Sequence, residues 1–341
     1  MTASFATLAV VIPAYNAAST LPACLSALGR SQRRPDEIIL FDDGSTDQTA
    51  EIARRAGVRV ISGERSQQGP AVGRNIAAEQ TDAEVIAFVD ADVAVHPEAL
   101  GRLLAAIADN DAAASFGSYD DNPPSRRLPS LYINLRHHWV HQQGGREAFT
   151  FWSGLGAIRR TWFDRVGGFS DHGVEDIELG SRIIQAGGRI RLIKDALGTH
   201  HKDWSLARAW RTDIFDRALP WACLIRQRQA NSGDLNLAAG DRISAVVAHL
   251  VWLTSLATVA LPALGLAVPL LAGVYLLLNA RFFSFLFRAG GVKAGLAGIA
   301  MHWCYHIYAS ITFALVMLVP AGFFRATAEA GQSSQVLGSS N

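Results

Sequence analysis

Apolar residues in the first third of the chain fall into short continuous runs separated by amphipathic stretches. Leu8–Ile12, Glu37–Phe41, Val58–Ile61 and Glu84–Val89 are short, rich in branched residues and bounded by polar turns. Each reads as a buried strand. Between them, Leu21, Leu25 and Leu28 recur at helical spacing within Thr20–Arg30. Gln48–Ala56 reads as a helix closed by Gly57, and a further helix runs from about Ala71 to Gln80. Pro97 opens the helix Pro97–Ala108, where its missing N–H costs nothing. Strands alternating with helices predict an α/β fold with a mostly parallel, Rossmann-like sheet, whose ligands gather at the carboxyl ends of the strands. Residues Asp120–Gly145 read as irregular, with Asn122-Pro123-Pro124 as a breaker, and Phe149–Leu192 as a second mixed region.

The last third is patterned differently. Ile243–Ala280 and Ala294–Phe324 carry no Asp, Glu, Lys or Arg. A membrane span needs about 20 apolar residues, so the first run accommodates two tight spans and the second one more. Pro262, Gly265 and Pro269 would break the first run between its two spans. Arg281, Arg288 and Lys293 lie between the runs, which predicts a cytoplasmic loop and puts the first 240 residues on the same side. Composition agrees with this division. Half the residues are apolar and only 18% are charged, against roughly 25% in an ordinary soluble domain. That balance excludes a fully soluble, a disordered or a collagen-like chain. The Ser- and Gly-rich tail after Gly331 reads as disordered.

The formal net charge of +1 gives no general attraction to nucleic acid, and none is expected as a partner. The three cysteines, Cys24, Cys223 and Cys304, are distant from one another. They form neither a disulfide framework nor a metal knuckle, which suits a reducing compartment. Leu8–Ile12 is too short for a signal peptide core, no basic segment precedes it and Pro13 ends it.

Four clusters of candidate chemistry follow the strands. Val11-Ile12-Pro13-Ala14-Tyr15-Asn16 and Phe41-Asp42-Asp43-Gly44-Ser45-Thr46-Asp47 each admit a simple strand-to-helix turn. Carboxylates at a strand end can also accept hydrogen bonds from a base or a ribose, and Tyr15 offers an aromatic face. Gly69-Pro70-Ala71-Val72-Gly73-Arg74-Asn75 places small residues at a helix start, with Arg74 suited to a bidentate diphosphate contact. Asp90-Ala91-Asp92 puts two carboxylates at alternate positions after a strand, a pattern suited to a hard divalent cation.

In this order and spacing, VIPAYN, DDGSTD, GPAVGRN and VDADV resemble the family 2 glycosyltransferases of the GT-A fold. A further block supports the resemblance: Phe151-Trp152-Ser153-Gly154, then Ala157 to Phe169, then Val174-Glu175-Asp176-Ile177-Glu178-Leu179. The likeness covers about residues 7–221. It implies that Pro13, Tyr15, Asn16, Asp42, Asp43, Arg74 and Asp90 bind the nucleotide-sugar, with Asp43 on the base. It implies that Asp90 and Asp92 hold Mn²⁺ or Mg²⁺ on the diphosphate. Asp176, with Glu175 beside it, matches the general base. His200 lies where relatives often place a third ligand, and the adjacent His201 leaves that choice open. Trp152, Gly154, Arg217 and Trp221 fall in the acceptor-facing blocks.

The resemblance divides the chain into a catalytic domain at 1–200, an amphipathic interface and acceptor region at 201–242, membrane helices of about three spans at 243–324, and a disordered tail at 325–341. Lys202–Arg228 interleaves six basic residues with Trp204, Trp210, Phe215 and Trp221, a composition that suits a membrane interface. The Gln-x-x-Arg-Trp pattern of processive relatives is replaced by Arg217-Ala218-Leu219-Pro220-Trp221, which favours transfer of a single sugar. His249, His302 and His306 stand inside the apolar runs, where a neutral histidine bonding a neighbouring helix is the simplest account.

The expected activity is therefore inverting, metal-dependent hexosyl-type transfer from a UDP- or GDP-type sugar to a hydroxyl of a lipid or lipid-linked acceptor. The enzyme would sit in the inner (cytoplasmic) membrane as a multi-pass protein with a cytoplasmic catalytic domain, serving cell-envelope glycan or glycolipid synthesis. A polyprenyl-phosphate acceptor is the alternative, although a phosphate needs no base and Glu175-Asp176 tilts the reading toward a hydroxyl. A nucleotidyltransferase would carry a Gly-rich loop where Pro13-Ala14-Tyr15-Asn16 stands. A non-catalytic membrane scaffold would have no need of Asp90, Asp92 and Asp176.

Overall fold

The computed structural model describes residues 7–63, 67–108, 112–170, 174–227 and 239–319. Its first half alternates as the sequence pattern predicts: β1 (Leu8–Ala14), α1 (Leu21–Gly29), β2 (Glu37–Asp42), α2 (Thr49–Arg55), β3 (Arg59–Ser62), α3 (Pro70–Ala78), β4 (Val85–Val89), β5 (Val93–Val95) and α4 (Ala99–Ile107). Then come β6 (Ala114–Tyr119), α5 (Leu128–Gln143), β7 (Glu147–Ala148), β8 (Leu155–Arg159), α6 (Arg160–Val166), α7 (Glu175–Gln185) and β9 (Ile190–His200). Strands order as β3-β2-β1-β4-β8-β6-β9-β5, with β7 also paired to β9. The first four strands are parallel. Beyond β4 the sheet becomes mixed, with β8 antiparallel to both β4 and β6.

Both faces of this sheet are covered, which is why its strands are continuous apolar runs. Val10 and Ile12 pack with Leu21, Leu28 and Leu100 on one face. Val11, Phe41 and Phe88 pack with Ala77, Phe163 and Leu179 on the other. Gly73 lets α3 lie directly on β2, since a Cβ there would meet the Phe41 ring at 2.5 Å.

Two elements depart from the sequence reading. The stretch expected to be irregular contains α5, 16 residues long with Pro129 in its first turn. Its polar and apolar positions show no clean helical stripe because both sides are covered. Leu131, Tyr132 and Leu135 pack with Phe282, Phe283 and Leu286, while His138 and His141 bond the carbonyls of Tyr119 and Gly117 on β6. The long strand β9 was not anticipated either. It runs antiparallel to β5, pairing His200 with Val93.

After β9 the chain forms α8 (Leu206–Arg211), a π-helical stretch at Thr212–Ala218 and α9 (Leu219–Arg226). Leu206, Trp210 and Phe215 are exposed here, whereas Trp204 is buried. The C-terminal part comprises α10 (Ala239–Ala257), a 3₁₀ turn at Pro262–Leu266, α11 (Ala267–Leu278) and α12 (Ala280–Leu318). Among the described residues only α12 is long and apolar enough to cross a membrane, and just 17% of its most apolar window is covered by protein. The expected three spans therefore reduce to one such helix. α10 carries Asp241 and Arg242 near its start, and α11 has only 12 residues. α12 bends at Gly291, whose φ is 78°. Two of the three histidines in the apolar runs bond a neighbouring helix as expected: His302 Nδ1 lies 3.0 Å from Tyr132 Oη and His306 Nδ1 3.0 Å from Tyr275 Oη, whereas His249 Nδ1 lies 2.9 Å from Ala245 O of its own helix. The tail at 325–341 lies outside the described residues.

One side chain ties α3 to the loop that leads into α7. Asn75 Nδ2 donates to Phe169 O at 2.7 Å, and Phe169 N donates to Asn75 Oδ1 at 2.8 Å. Asn75→Ala removes both bonds and is expected to cost about 1–3 kcal/mol, read as a lower midpoint in thermal unfolding of the detergent-solubilised protein.

Candidate active site

The carboxyl ends of β1, β2 and β4 meet above α3 and form the floor of the site. Asn16, with φ +48°, joins the first two loops: its backbone N–H donates to Ser45 Oγ at 2.9 Å, and its Oδ1 accepts from Thr46 N at 2.8 Å. Asp42 is buried and accepts from Ser45 N at 3.1 Å. Pro13 stays in β1, opposite Phe41. Tyr15 is 44% exposed, and its hydroxyl takes a 2.9 Å hydrogen bond from Gln67 Nε2. Asp43 anchors the neighbouring loop. Both its oxygens accept backbone N–H groups, from Gln68 and Gly69, each at 2.8 Å. It fixes the loop that opens α3.

Arg74 is 4% exposed and directs its guanidinium at two acids. One Nη donates to Asp90 Oδ1 at 2.8 Å and the other to Glu175 Oε1 at 2.7 Å. Burial opposes its charge, but Asp90, Glu175 and Asp176 outweigh that effect and raise its pKa. Glu175 is thereby committed to positioning Arg74.

Three acids thus surround one guanidinium. Desolvation first, then the Glu175 charge and more weakly Asp90, push the Asp176 pKa up to about 7, while Arg74 opposes the rise. Asp176 keeps partial solvent contact, and Ile177 N donates to its Oδ1 at 2.8 Å. A carboxylate titrating near neutrality is well matched to accepting a proton from a hydroxyl.

Asp92 lies beside β9. Its Oδ2 is 3.5 Å from His200 Nε2 and 3.9 Å from Lys202 Nζ. Burial works against the Asp92 charge, but His200 and then Lys202 outweigh it and hold the pKa below the usual carboxylate range. The pairing of β5 with β9 selects His200 over His201 for this position. His200 stacks on Tyr119 at 4.1 Å, and its Nδ1 lies 2.5 Å from Asn134 Oδ1. The Asn134 contact turns Nε2 toward the Asp92 oxygen, so the two side chains converge on one point, where a divalent cation would take the place of the proton between them. Among the described residues no three His, Cys, Asp or Glu side chains close into a complete metal cage. The Asp92 and His200 donors still fit a divalent ion that takes its other oxygens from a diphosphate.

A cavity of ≈ 280 Å³ opens between this floor and the C-terminal helices. Trp152, Asp176, Arg217 and Trp221 line it together with α5. Three of the four acceptor candidates therefore share one space with Asp176. Gly154 does not reach that wall. Its carbonyl accepts from Asp90 N at 3.2 Å, and a Cβ on it would meet the Trp152 ring at 2.6 Å. A larger cavity of ≈ 630 Å³ behind Arg136 contains none of Asp90, Asp92 or Asp176. Sequence reasoning missed Asn134, Arg136 and His137 because they lie on α5, read as loop. It missed Asp213 because that acid stood out only as one charge within a basic, Trp-rich stretch.

A mixed nine-stranded sheet with acids at the ends of β2 and β4 and a carboxylate opening α7 defines a GT-A type nucleotide-sugar fold. The chain matches the model of glycosyl transferase family 2 over residues 9–167. It matches the model described as the N-terminal domain of galactosyltransferase over residues 140–202. It is 30% identical over 235 residues to the succinoglycan biosynthesis protein ExoU of Rhizobium meliloti, covering 60% of this chain and 67% of that one. It is 25% identical over 241 residues to the O-antigen chain rhamnosyltransferase RfbN of Salmonella typhimurium, covering 62% and 73%. The fold is similar to that of the mannosyltransferase PcManGT from Pyrobaculum calidifontis, solved with GDP-Man and Mn²⁺: the TM-score is 0.55 at 20% identity, over 91% of this chain and 90% of that one. The chain belongs to glycosyltransferase family 2 and is a glycosyltransferase.

The raised Asp176 pKa has a consequence for stability. An unfolded aspartate titrates near 3.9, so the folded state holds this proton more tightly. The resulting stabilisation is complete below about pH 4 and is lost as pH rises through about 7. Asp176→Asn, which cannot ionise, is expected to melt above the native protein at pH 8, and the gap should close toward pH 4.

Proposed function

We propose that this glycosyltransferase moves one sugar from a UDP- or GDP-type nucleoside-diphosphate sugar to a hydroxyl of a lipid or lipid-linked acceptor, with inversion. The observation that carries this reading is Asp176: a carboxylate with a pKa near 7 in the wall of a cavity bounded on its far side by α12. Asn16, Asp42 and Tyr15 border the nucleoside end. Asp92 and His200, with Asp90 beside them, would hold Mn²⁺ or Mg²⁺. A bound divalent cation supplies Lewis-acid stabilisation of the departing diphosphate. Asp176 takes the proton of the acceptor hydroxyl, and Ile177 N holds the carboxylate in place while it does so. One attack opposite the leaving group inverts the anomeric centre and needs no covalent sugar–enzyme intermediate.

Arg74 keeps Asp90 and the start of α7 at a fixed separation. Trp152 presents an apolar face beside Asp176, suited to a sugar ring. The long α12 and the exposed Leu206, Trp210 and Phe215 support attachment to the inner (cytoplasmic) membrane with the catalytic domain cytoplasmic. The names of the relatives, from O-antigen and succinoglycan assembly, support a role in cell-envelope glycan or glycolipid synthesis.

A thermal-shift screen of UDP, GDP, dTDP and CMP tests the donor half. One nucleotide is expected to stabilise the solubilised protein only with Mn²⁺, and not in Asp92→Asn. Stabilisation that is indifferent to metal and to Asp92 would overturn the metal assignment. For the acceptor half, Asp176→Asn is expected to lower kcat by about 10²–10⁴-fold while leaving nucleotide binding intact. Full turnover on a hydroxyl acceptor in that variant would remove Asp176 as base.

A further inference from the structure

We infer that this protein enters one leaflet of the bilayer and does not cross it. The hairpin of α10 and α11 dips into the hydrocarbon and returns, while α12 lies along the catalytic domain and ends on the same side of the membrane. The inference rests on the membrane attachment proposed above and goes beyond it by naming the segment that inserts and its depth.

Between Arg242 and Arg281 the hairpin contains no Asp, Glu, Lys or Arg, so a cation stands at each of its two feet. Cations placed there suit anionic headgroups. The lower part of the hairpin is fixed to α12. Trp303 Nε1 donates to Ala248 O at 3.2 Å, and Tyr275 Oη lies 3.0 Å from His306 Nδ1. Beyond these bonds the packing stops: no residue from His249 to Val274 is buried. Leu253, Leu256, Leu261 and Leu270 are exposed, and Val259 and Leu266 at the tip are 87% and 85% exposed. A protein partner would call for one apolar stripe, whereas a hairpin that is apolar all round calls for acyl chains. The free legs, 249–257 and 267–274, are each about 12–14 Å long. With the turn between them they reach roughly half of a hydrocarbon core about 30 Å thick.

Helix α12 has the length to cross, but helices of the catalytic side accompany it to its end. Tyr308 donates to Asp213 of the π-helical stretch at 2.7 Å. Further along, Arg226 of α9 donates to the carbonyls of Val316 and Val319 at 2.6 and 2.5 Å, which caps α12. The two chains therefore advance in the same direction, side by side. α8, the π-helical stretch and α9 follow one another without a break and contain Arg208, Arg211, Asp213, Asp216 and Arg217. A crossing α12 would draw these charges through hydrocarbon, which is strongly unfavourable. The free side of α12 exposes Val292, Leu296, Ile311, Leu315 and Leu318, as suits a helix lying in the plane of the interface.

The test uses the full chain in inside-out and right-side-out membrane vesicles, with Cys223→Ser and Cys304→Ser and one cysteine introduced at a time. Glu51→Cys on α2 marks the face of the catalytic domain. A membrane-impermeant maleimide is expected to label Ser334→Cys from that same face, and Leu264→Cys from neither face until detergent is added. A fluorophore on Leu264→Cys should be quenched by nitroxides carried deep on lipid acyl chains. Labelling of Leu264→Cys or Ser334→Cys from the face opposite Glu51→Cys would show a crossing and overturn the inference. So would labelling of Leu264→Cys from the Glu51→Cys face, or a protected tip that no lipid nitroxide quenches, which would mean cover by protein. A second variant reads insertion directly. Val259→Glu with Leu266→Glu should lower partition of the solubilised chain into vesicles of phosphatidylethanolamine and phosphatidylglycerol about tenfold or more, with its Mn²⁺-dependent nucleotide response unchanged. Equal partition of this variant and the native chain would count against the hairpin. A native chain that stays off the vesicles altogether would instead overturn the attachment itself, so the two failures are separable.

Discussion

A single buried guanidinium holds the catalytic end of this protein together. Arg74 rises from α3 and grips Asp90 at the end of β4 and Glu175 at the start of α7. Three elements distant in sequence are thus fixed by two charge-assisted bonds in a place shielded from water. Breaking such a pair leaves uncompensated buried charge, typically at a cost of about 3–5 kcal/mol. The geometry of the acids is therefore set by electrostatics as much as by packing. The same constraint sets the chemistry. Burial first, and the neighbouring Glu175 and Asp90 charges after it, leave Asp176 to bind a proton near neutral pH although Arg74 opposes the rise.

Helix α5 connects this centre to the C-terminal helices. One side of it meets β6 and β9, where Asn134 orients His200 beside Asp92. The other meets α12, where Tyr132 pairs with His302 and Arg136 stacks on Tyr305. The site on one side and the apolar helix on the other share a single rigid wall. The cavity between them is lined by Asp176 and Trp152 on one side and by Tyr305, Ala309 and Phe313 of α12 on the other. His302, Trp303, His306 and Tyr308 of α12 bond α5, α10, α11 and the π-helical stretch respectively.

Where one rule governs a segment, the sequence was easy to read. β1 and β4 are buried on both faces, so they are continuous apolar runs, and the acids that follow them stand out as turns. Asp42, Asp90 and Asp92 stand out in this way after β2 and β4, whereas Asp176 came from the family resemblance, and the cavity gathers Trp152, Arg217 and Trp221 around it. Helix α5 obeys two rules at once. One side needs apolar residues against α12 and the other needs donors toward the sheet carbonyls, so its pattern has no single period. The C-terminal runs misled in the opposite sense. They are apolar enough for three spans, but the chain divides them into α10, a 3₁₀ turn, α11 and the bent α12.

The first four strands, the helices between them and the motifs that carry the family resemblance follow from local pattern, because hydrophobic period and turn chemistry act over a few residues. The partners of those acids do not. Arg74 and Glu175 stand 101 residues apart and Asn134 and His200 stand 66 apart. Asp43 gives both its oxygens to the backbone of a loop 25 and 26 residues on. Whether a carboxylate is free, clamped or protonated depends on which charges fold up against it. Burial and proximity of that kind arise between distant segments, so they exist only once the chain has packed.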